Sequence, residues 1–181
     1  RDFDDEIAEK AQRRLAGDEW LFRGPATYLP RIDVKVVETV RATIIKPNQA
    51  LRLRARRECT DHRGTVRKAG EEWLVRDEGA YLPEVDEEVI RTVDAYTLTE
   101  RRALHLRAMR TFTHSFHTVR KAGAEWLVTF VDAETYIPDI YEEVVGEVAI
   151  TTLNSRQFCV VLDPIDATTG KNQLGKAELR K

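Results

Sequence analysis

Four histidines, two cysteines and three pairs of adjacent glutamates are the residues through which this chain could do chemistry. His114 and His117 stand three apart, a spacing that shares one face on a helix. In the hairpin expected here they part, with His114 and Phe116 on one side and His117 on the other, and surface histidines are the default. His62 and His105 are isolated. No cysteine or carboxylate cluster accompanies any of them to complete a tetrahedral metal site. Asp61-His62-Arg63-Gly64 offers a single oxygen ligand at the wrong spacing for a calcium loop, and DPIDATTG at 163–170 lacks the closing glutamate. Cys59 and Cys159 have no sequence-local base, and the nucleophile-elbow, dinucleotide and phosphate-loop motifs are absent. The paired carboxylates, Glu71-Glu72, Glu87-Glu88 and Glu142-Glu143, recur along the chain, whereas an active site normally appears once per domain. The chain therefore reads as a non-enzyme with no cofactor and no metal.

One charged constellation remains. Arg52, Arg54, Arg56 and Arg57 form a basic stripe, answered downstream by Glu84, Asp86, Glu87 and Glu88. Arg107 and Arg110 stand in the same relation to Asp139, Glu142 and Glu143. The stripe lacks the interleaved aromatics that stack on bases. The whole chain is also nearly neutral, 29 Lys+Arg against 31 Asp+Glu, where a nucleic-acid binder carries a clear basic excess. Direct nucleic-acid binding is not expected. A solvated face is the plain alternative to a contact. As a contact, Arg52, Arg54, Arg107, Arg110, Glu87, Glu88, Glu142 and Glu143 are the candidates, between subunits or toward a partner. A module with a basic strand and an acidic segment at fixed positions docks side by side with copies of itself.

What positions these residues is a repeat. Trp20, Trp73 and Trp126 are spaced by 53 residues both times, inside GDEWLF, GEEWLV and GAEWLV. TYLP at 27–30, AYLP at 80–83 and TYIP at 135–138 follow in order, the third delayed by two residues. ALRLRARR at 50–57 returns as ALHLRAMR at 103–110 and, more faintly, as QFCVVLDP at 157–164, and VRKAG stands at both 66–70 and 119–123. With the phase set at Ala50 and Ala103, the units are 1–49 without its first residues, 50–102, 103–156, and a truncated 157–181. The missing initiator Met and these incomplete ends read as a piece of a longer array.

Within a unit, Leu51, Leu53 and Ala55 alternate with Arg52, Arg54 and Arg56, the period of a strand with one wet face. TDHRG at 60–64 supplies a turn in which Gly64 takes positive φ. In the valine-rich stretch at 32–45, Val36, Val40, Ala42 and Ile44 are expected inward. The fold class is all-β: small antiparallel modules of four to five short strands in an elongated rod. A unit this small buries little surface alone and borrows core from its neighbours. Trp20, Trp73 and Trp126, with Tyr28, Tyr81, Tyr136, Pro30, Pro83 and Pro138, are the expected core anchors; a ligand cage is the alternative. Residues 4–17 conflict with this plan, because acids open the stretch and bases close it as in a helix. The repeat register demands a hairpin there instead. Two isolated cysteines suit a reducing compartment, and no apolar run approaches the roughly 18 residues of a membrane span. The cytoplasm is the expected location.

The phrases AGDEWLFRGPATYLPR at 16–31, QALRLRARRECTD at 49–61, LTERRALHLRA at 98–108 and ITTLNSRQFCVVLDPIDATTGKNQLG at 150–175, with GEEWLV, GAYLP and GAEWLV, resemble the N-terminal repeats of the major vault protein family. The resemblance covers essentially the whole chain and departs most at 6–15, where the family has a shorter acidic hairpin. It implies a place in the wall of the vault, a barrel-shaped cytoplasmic ribonucleoprotein particle, with identical chains as lateral neighbours. It also implies a second role in docking the vault poly(ADP-ribose) polymerase. An isolated segment can remain monomeric, because its lateral contacts are weak alone.

Overall fold

The computed structural model describes residues 3–5, 12–165, 168 and 172–180. The described residues form strands and turns, with no helix among them. The contested N-terminal stretch is a strand pair, Phe3–Asp5 antiparallel to Gln12–Arg14, and the rest of that segment, 6–11, lies outside the described residues. Two compact units are present, Arg1–Tyr96 with Ile137–Glu142, and Thr97–Tyr136 with Glu143–Lys181.

The phrase ALRLRA builds the centre of the first complete module. Strand Gln49–Ala55 is flanked by Glu72–Val75 on one side and Glu87–Asp94 on the other, both antiparallel. Period-two alternation sends Leu51, Leu53 and Ala55 inward at 0–2% exposure and leaves Arg52 and Arg54 on the wet face. Trp73, opposite Leu53 in the ladder, joins Val75 and Ile45 to close the core, and Cys59 and Tyr81 pack against it. The core thus takes one member, Ile45, from the short strand Thr43–Ile45 that precedes the phrase and pairs with Gly79–Tyr81. Module two repeats the plan, with Arg102–Ala108 between Glu125–Val128 and Glu142–Ala149. Its Ala103, Leu104, Leu106 and Ala108 are each at most 1% exposed.

A small hairpin hangs from each central strand, Cys59–Thr60 with Val66–Arg67 and Phe112–Thr113 with Val119–Arg120. In the first, Asp61 O accepts the N–H of Gly64 at 2.9 Å, and Gly64 sits at φ +79°. The buried Asp61 carboxylate holds the loop from inside, its Oδ1 accepting the N–H groups of Arg63 at 3.0 Å and Thr65 at 2.8 Å.

Two expectations need correction. Val36, Val40, Ala42 and Ile44 do not face inward: Ile44 is 68% exposed while Ile45 is 2% exposed. Residues 32–42, which include the counterpart of Glu87–Asp94 one repeat earlier, form no strand. Over 32–42 no partner strand gives the alternation an inner face, and in Thr43–Ile45 the strand turns Ile45 rather than Ile44 into the core. His114, expected at the surface, is 1% exposed, because it occupies the place in the second hairpin that Asp61 fills in the first. The strand pair Cys159–Leu162 with Ala177–Arg180 leaves Val160 and Leu162 exposed, unlike their buried analogues Leu106 and Ala108.

Candidate functional site

The outer face of each central strand carries charge that is already matched. Arg52 Nε donates to Glu72 Oε2 at 2.6 Å, and Arg54 Nη2 to Glu88 Oε2 at 2.7 Å. In module two the positions of Arg52 and Arg54 are held by His105 and Arg107. His105 Nε2 lies 2.9 Å from Glu125 Oε2, and Arg107 donates to Glu125 at 2.8 Å and Glu143 at 3.4 Å. Strand pairing explains the match, since Arg54 stands opposite Glu72 on one neighbour and Glu88 on the other. Arg54 holds the Glu88 carboxyl below the ordinary range through its hydrogen bond, and Arg107 does the same to Glu125. Such exposed pairs add little stability, about 0–1 kcal/mol each. What they define is an alternately charged face on each central strand.

The other sequence candidates fall differently. Glu87 and Glu142 are buried and turned into their own folds. Glu87 Oε2 accepts Tyr81 Oη–H at 2.7 Å and Glu84 N–H at 3.0 Å, and Glu142 Oε2 accepts Asp139 N–H at 2.9 Å. Burial, then the Glu87 carboxylate, push the Tyr81 hydroxyl far above its usual value. Arg110 is exposed. Trp73, Trp126, Tyr136, Pro83 and Pro138 are buried and Tyr81 half-buried, whereas Trp20 and Tyr28 are half-buried and Pro30 exposed.

One recurring contact escaped the motif search. Arg14, Arg67 and Arg120 each place the guanidinium over the tryptophan six residues on, at 4.8, 5.1 and 4.7 Å from the ring centroids of Trp20, Trp73 and Trp126. Cation–π attraction of this geometry is worth about 0.5–2 kcal/mol. The six-residue interval from arginine to tryptophan, within VRKAG in the second and third copies and RRLAG in the first, is the trace it leaves in the sequence.

An open cleft of about 530 Å³ in the first unit is lined by Trp20, Cys59, Asp61, His62, Glu84 and Asp86 among others. Its acids are engaged, Asp61 by Arg67 and Asp86 by Arg57, each at 2.9 Å or less. Burial pushes the Cys59 thiol up, away from the nucleophilic thiolate. His62 in the cleft is turned to Asp77 at 3.3 Å, and no hydrogen bond joins it to Cys59 among the described residues.

A repeated three-stranded module with a lead-in strand is what the comparisons with known proteins also find. The Major Vault Protein repeat domain model matches residues 1–31, 43–84 and 96–139. The chain belongs to the major vault protein family. Its second and third vault-repeat matches begin at the lead-in strands, at Thr43 and Tyr96. The chain is 63% identical to the Major vault protein alpha of Dictyostelium discoideum over 177 residues, which is 97% of this chain and 21% of that protein. It is 58% identical to the Major vault protein of Gallus gallus and 56% identical to that of Homo sapiens, each over 180 residues and 99% of this chain, covering 21% and 20% of those proteins. The chain thus spans about a fifth of the length of the curated relatives it matches. Among the described residues no helix is long and apolar enough to cross a membrane.

Proposed function

We propose that this chain is a structural segment of a vault particle, a stretch of wall built from repeats and packed laterally against identical chains in the cytoplasm. Vault repeats over most of the chain support the structural reading, and the units 1–49, 50–102, 103–156 and 157–181 are its proposed divisions. The observation that carries the lateral contact is the charged face that returns on each central strand, with Arg52, Arg54 and Glu88 in one module and Arg107 and Glu143 in the next. A face of alternating sign is complementary to its own copy after a shift, so identical chains align on it in register. Arg110, exposed just beyond the end of Arg102–Ala108, is a further candidate contact. The acidic half rests on Glu88 and Glu143, because Glu87 and Glu142 are turned inward. The role is mechanical rather than catalytic, since the recurring acids are committed to arginines or, for Glu87 and Glu142, to hydrogen bonds with neighbouring groups of the fold.

The test is assembly of the full-length chain carrying Arg54→Glu with Arg107→Glu. Fewer intact particles on a sucrose gradient, with wild-type strand content by circular dichroism, is the expected result. Particles equal in yield and salt resistance to wild type would remove the charged face from the wall contact.

A further inference from the structure

Arg67 in the first module is surrounded by acids. Its Nε and Nη2 each lie 2.9 Å from Asp61 Oδ2, and Nη1 donates to Glu71 Oε1 at 2.8 Å. In the second module the same backbone position is Arg120, still seated on its tryptophan at 4.7 Å. Both acids are gone. His114 stands where Asp61 stands, and Ala124 where Glu71 stands, each 53 residues on.

The imidazole does not replace the lost carboxylate. Its Nδ1 accepts the N–H of Phe116 at 3.1 Å, taking over the loop contact that Asp61 makes to Arg63. Its Nε2 lies 2.9 Å from the Tyr136 hydroxyl. With both ring nitrogens engaged, no acceptor is left to aim at the arginine. Arg120 Nε is buried with no hydrogen-bond partner among the described residues, and no ion pair to this side chain is formed there. A guanidinium held by an aromatic face, with an orphaned donor and no counter-charge, gains strongly from any oxyanion that reaches it. Ala124, half-buried, has no carboxylate to offer at the position from which Glu71 reaches Arg67 in module one.

We propose that Arg120 is a carboxylate-binding site, taking beside Ala124 a carboxylate from outside the module. Geometry favours this ligand class, because module one fits the Glu71 carboxylate to Nη1 of the equivalent guanidinium at 2.8 Å, while the Nε of that guanidinium faces Asp61. The planar fork of arginine suits two-oxygen acceptors, which a lysine would not match. Two sources share this chemistry: a small dicarboxylate in solution, and an acidic side chain of a second copy of the chain. The inference stands on this module alone and does not rest on the particle assignment.

The experiment follows the arginine Nε–H resonances of the whole 181-residue chain by NMR. Arg67, already saturated by its two acids, is the internal reference. Titration with glutarate is expected to move the Arg120 signal and leave Arg67 in place, if the ligand is a free carboxylate. Movement on raising the concentration of the chain itself marks a second copy as the source. Ala124→Glu supplies the acid internally and is expected to weaken either response at least roughly tenfold, the worth of one charge-assisted hydrogen bond. Ala124→Ser is expected to keep it. An Arg120 signal unmoved in both titrations overturns the proposal, as does an equal response in Ala124→Glu or at Arg67. Wild type alone decides if a variant misfolds.

Discussion

Position 117 holds a histidine in the left-handed conformation, at φ +58°, where the matching loop of module one holds Gly64 at φ +79°. A side chain at this backbone angle costs about 1–2 kcal/mol, and glycine does not bear that cost. His117→Gly is therefore expected to stabilise module two by about 1 kcal/mol in urea denaturation, after allowing for glycine's looser unfolded state. Unchanged or lower stability would mean that the His117 side chain contributes more than its backbone costs. The arginines offer a sharper contrast. Arg67→Met strands the Asp61 carboxylate, whose side chain is 1% exposed, and is expected to cost about 3 kcal/mol. Arg120→Met strands no acid and loses only its cation–π contact, about 1 kcal/mol. Equal losses would refute the difference in wiring between the two modules. Of these residue roles, the glycine turn was legible in TDHRG, and the tryptophan anchors were legible in their spacing. The substitution of His114 for Asp61 was not, since only the hairpin ladder shows that the two share one buried position.

At the level of elements, alternation read the central strands well because two neighbouring strands hold them in one phase. Leu51 and Leu53, like Leu104 and Leu106, are wholly buried as their pattern requires. The same reasoning failed at 32–42, where valines alternate without a ladder to fix which set turns inward. It also could not foresee the irregularity in Glu87–Asp94, where Arg52 pairs with Arg91 and the next residue, Leu53, pairs with Val89. A bulge of this kind shifts the faces of the strand midway, so no single period describes it. Leu53→Ala and Leu106→Ala are expected to cost about 2–5 kcal/mol each, as deletions in close-packed cores do. Hydrogen exchange would locate the loss. Protection should fall first in Gln49–Ala55 for the one variant and in Arg102–Ala108 for the other. Uniform loss across both strands in either variant would show that the two cores melt as one.

For the whole molecule, charge is distributed unevenly between the two units although both follow one plan. In the first unit, Asp61, Glu71, Asp77 and Glu88 all have carboxyl groups held below their ordinary values. Burial works against Asp61, but the N–H groups of Thr65 and Arg63 and the guanidinium of Arg67 outweigh it. Arg67, Arg63 and Arg54 are the chief causes for the other three. In the second unit only Glu125, through Arg107, and Asp132, through Thr129, are shifted this way among the described residues. A depressed folded value means that the unfolded chain takes up protons first. The stability these acids contribute is then complete above the ordinary values of 3.8 for Asp and 4.5 for Glu, and is lost as pH falls below them. More such acids in the first unit make its decline steeper. Amide exchange between about pH 4.5 and pH 3 is expected to show Gln49–Ala55 losing protection ahead of Arg102–Ala108. High salt should mute the part due to Asp77 and Glu88, which are exposed, and leave the part due to buried Asp61. If the second unit opens first, the depressed carboxylates of the first do not govern the acid response of the chain.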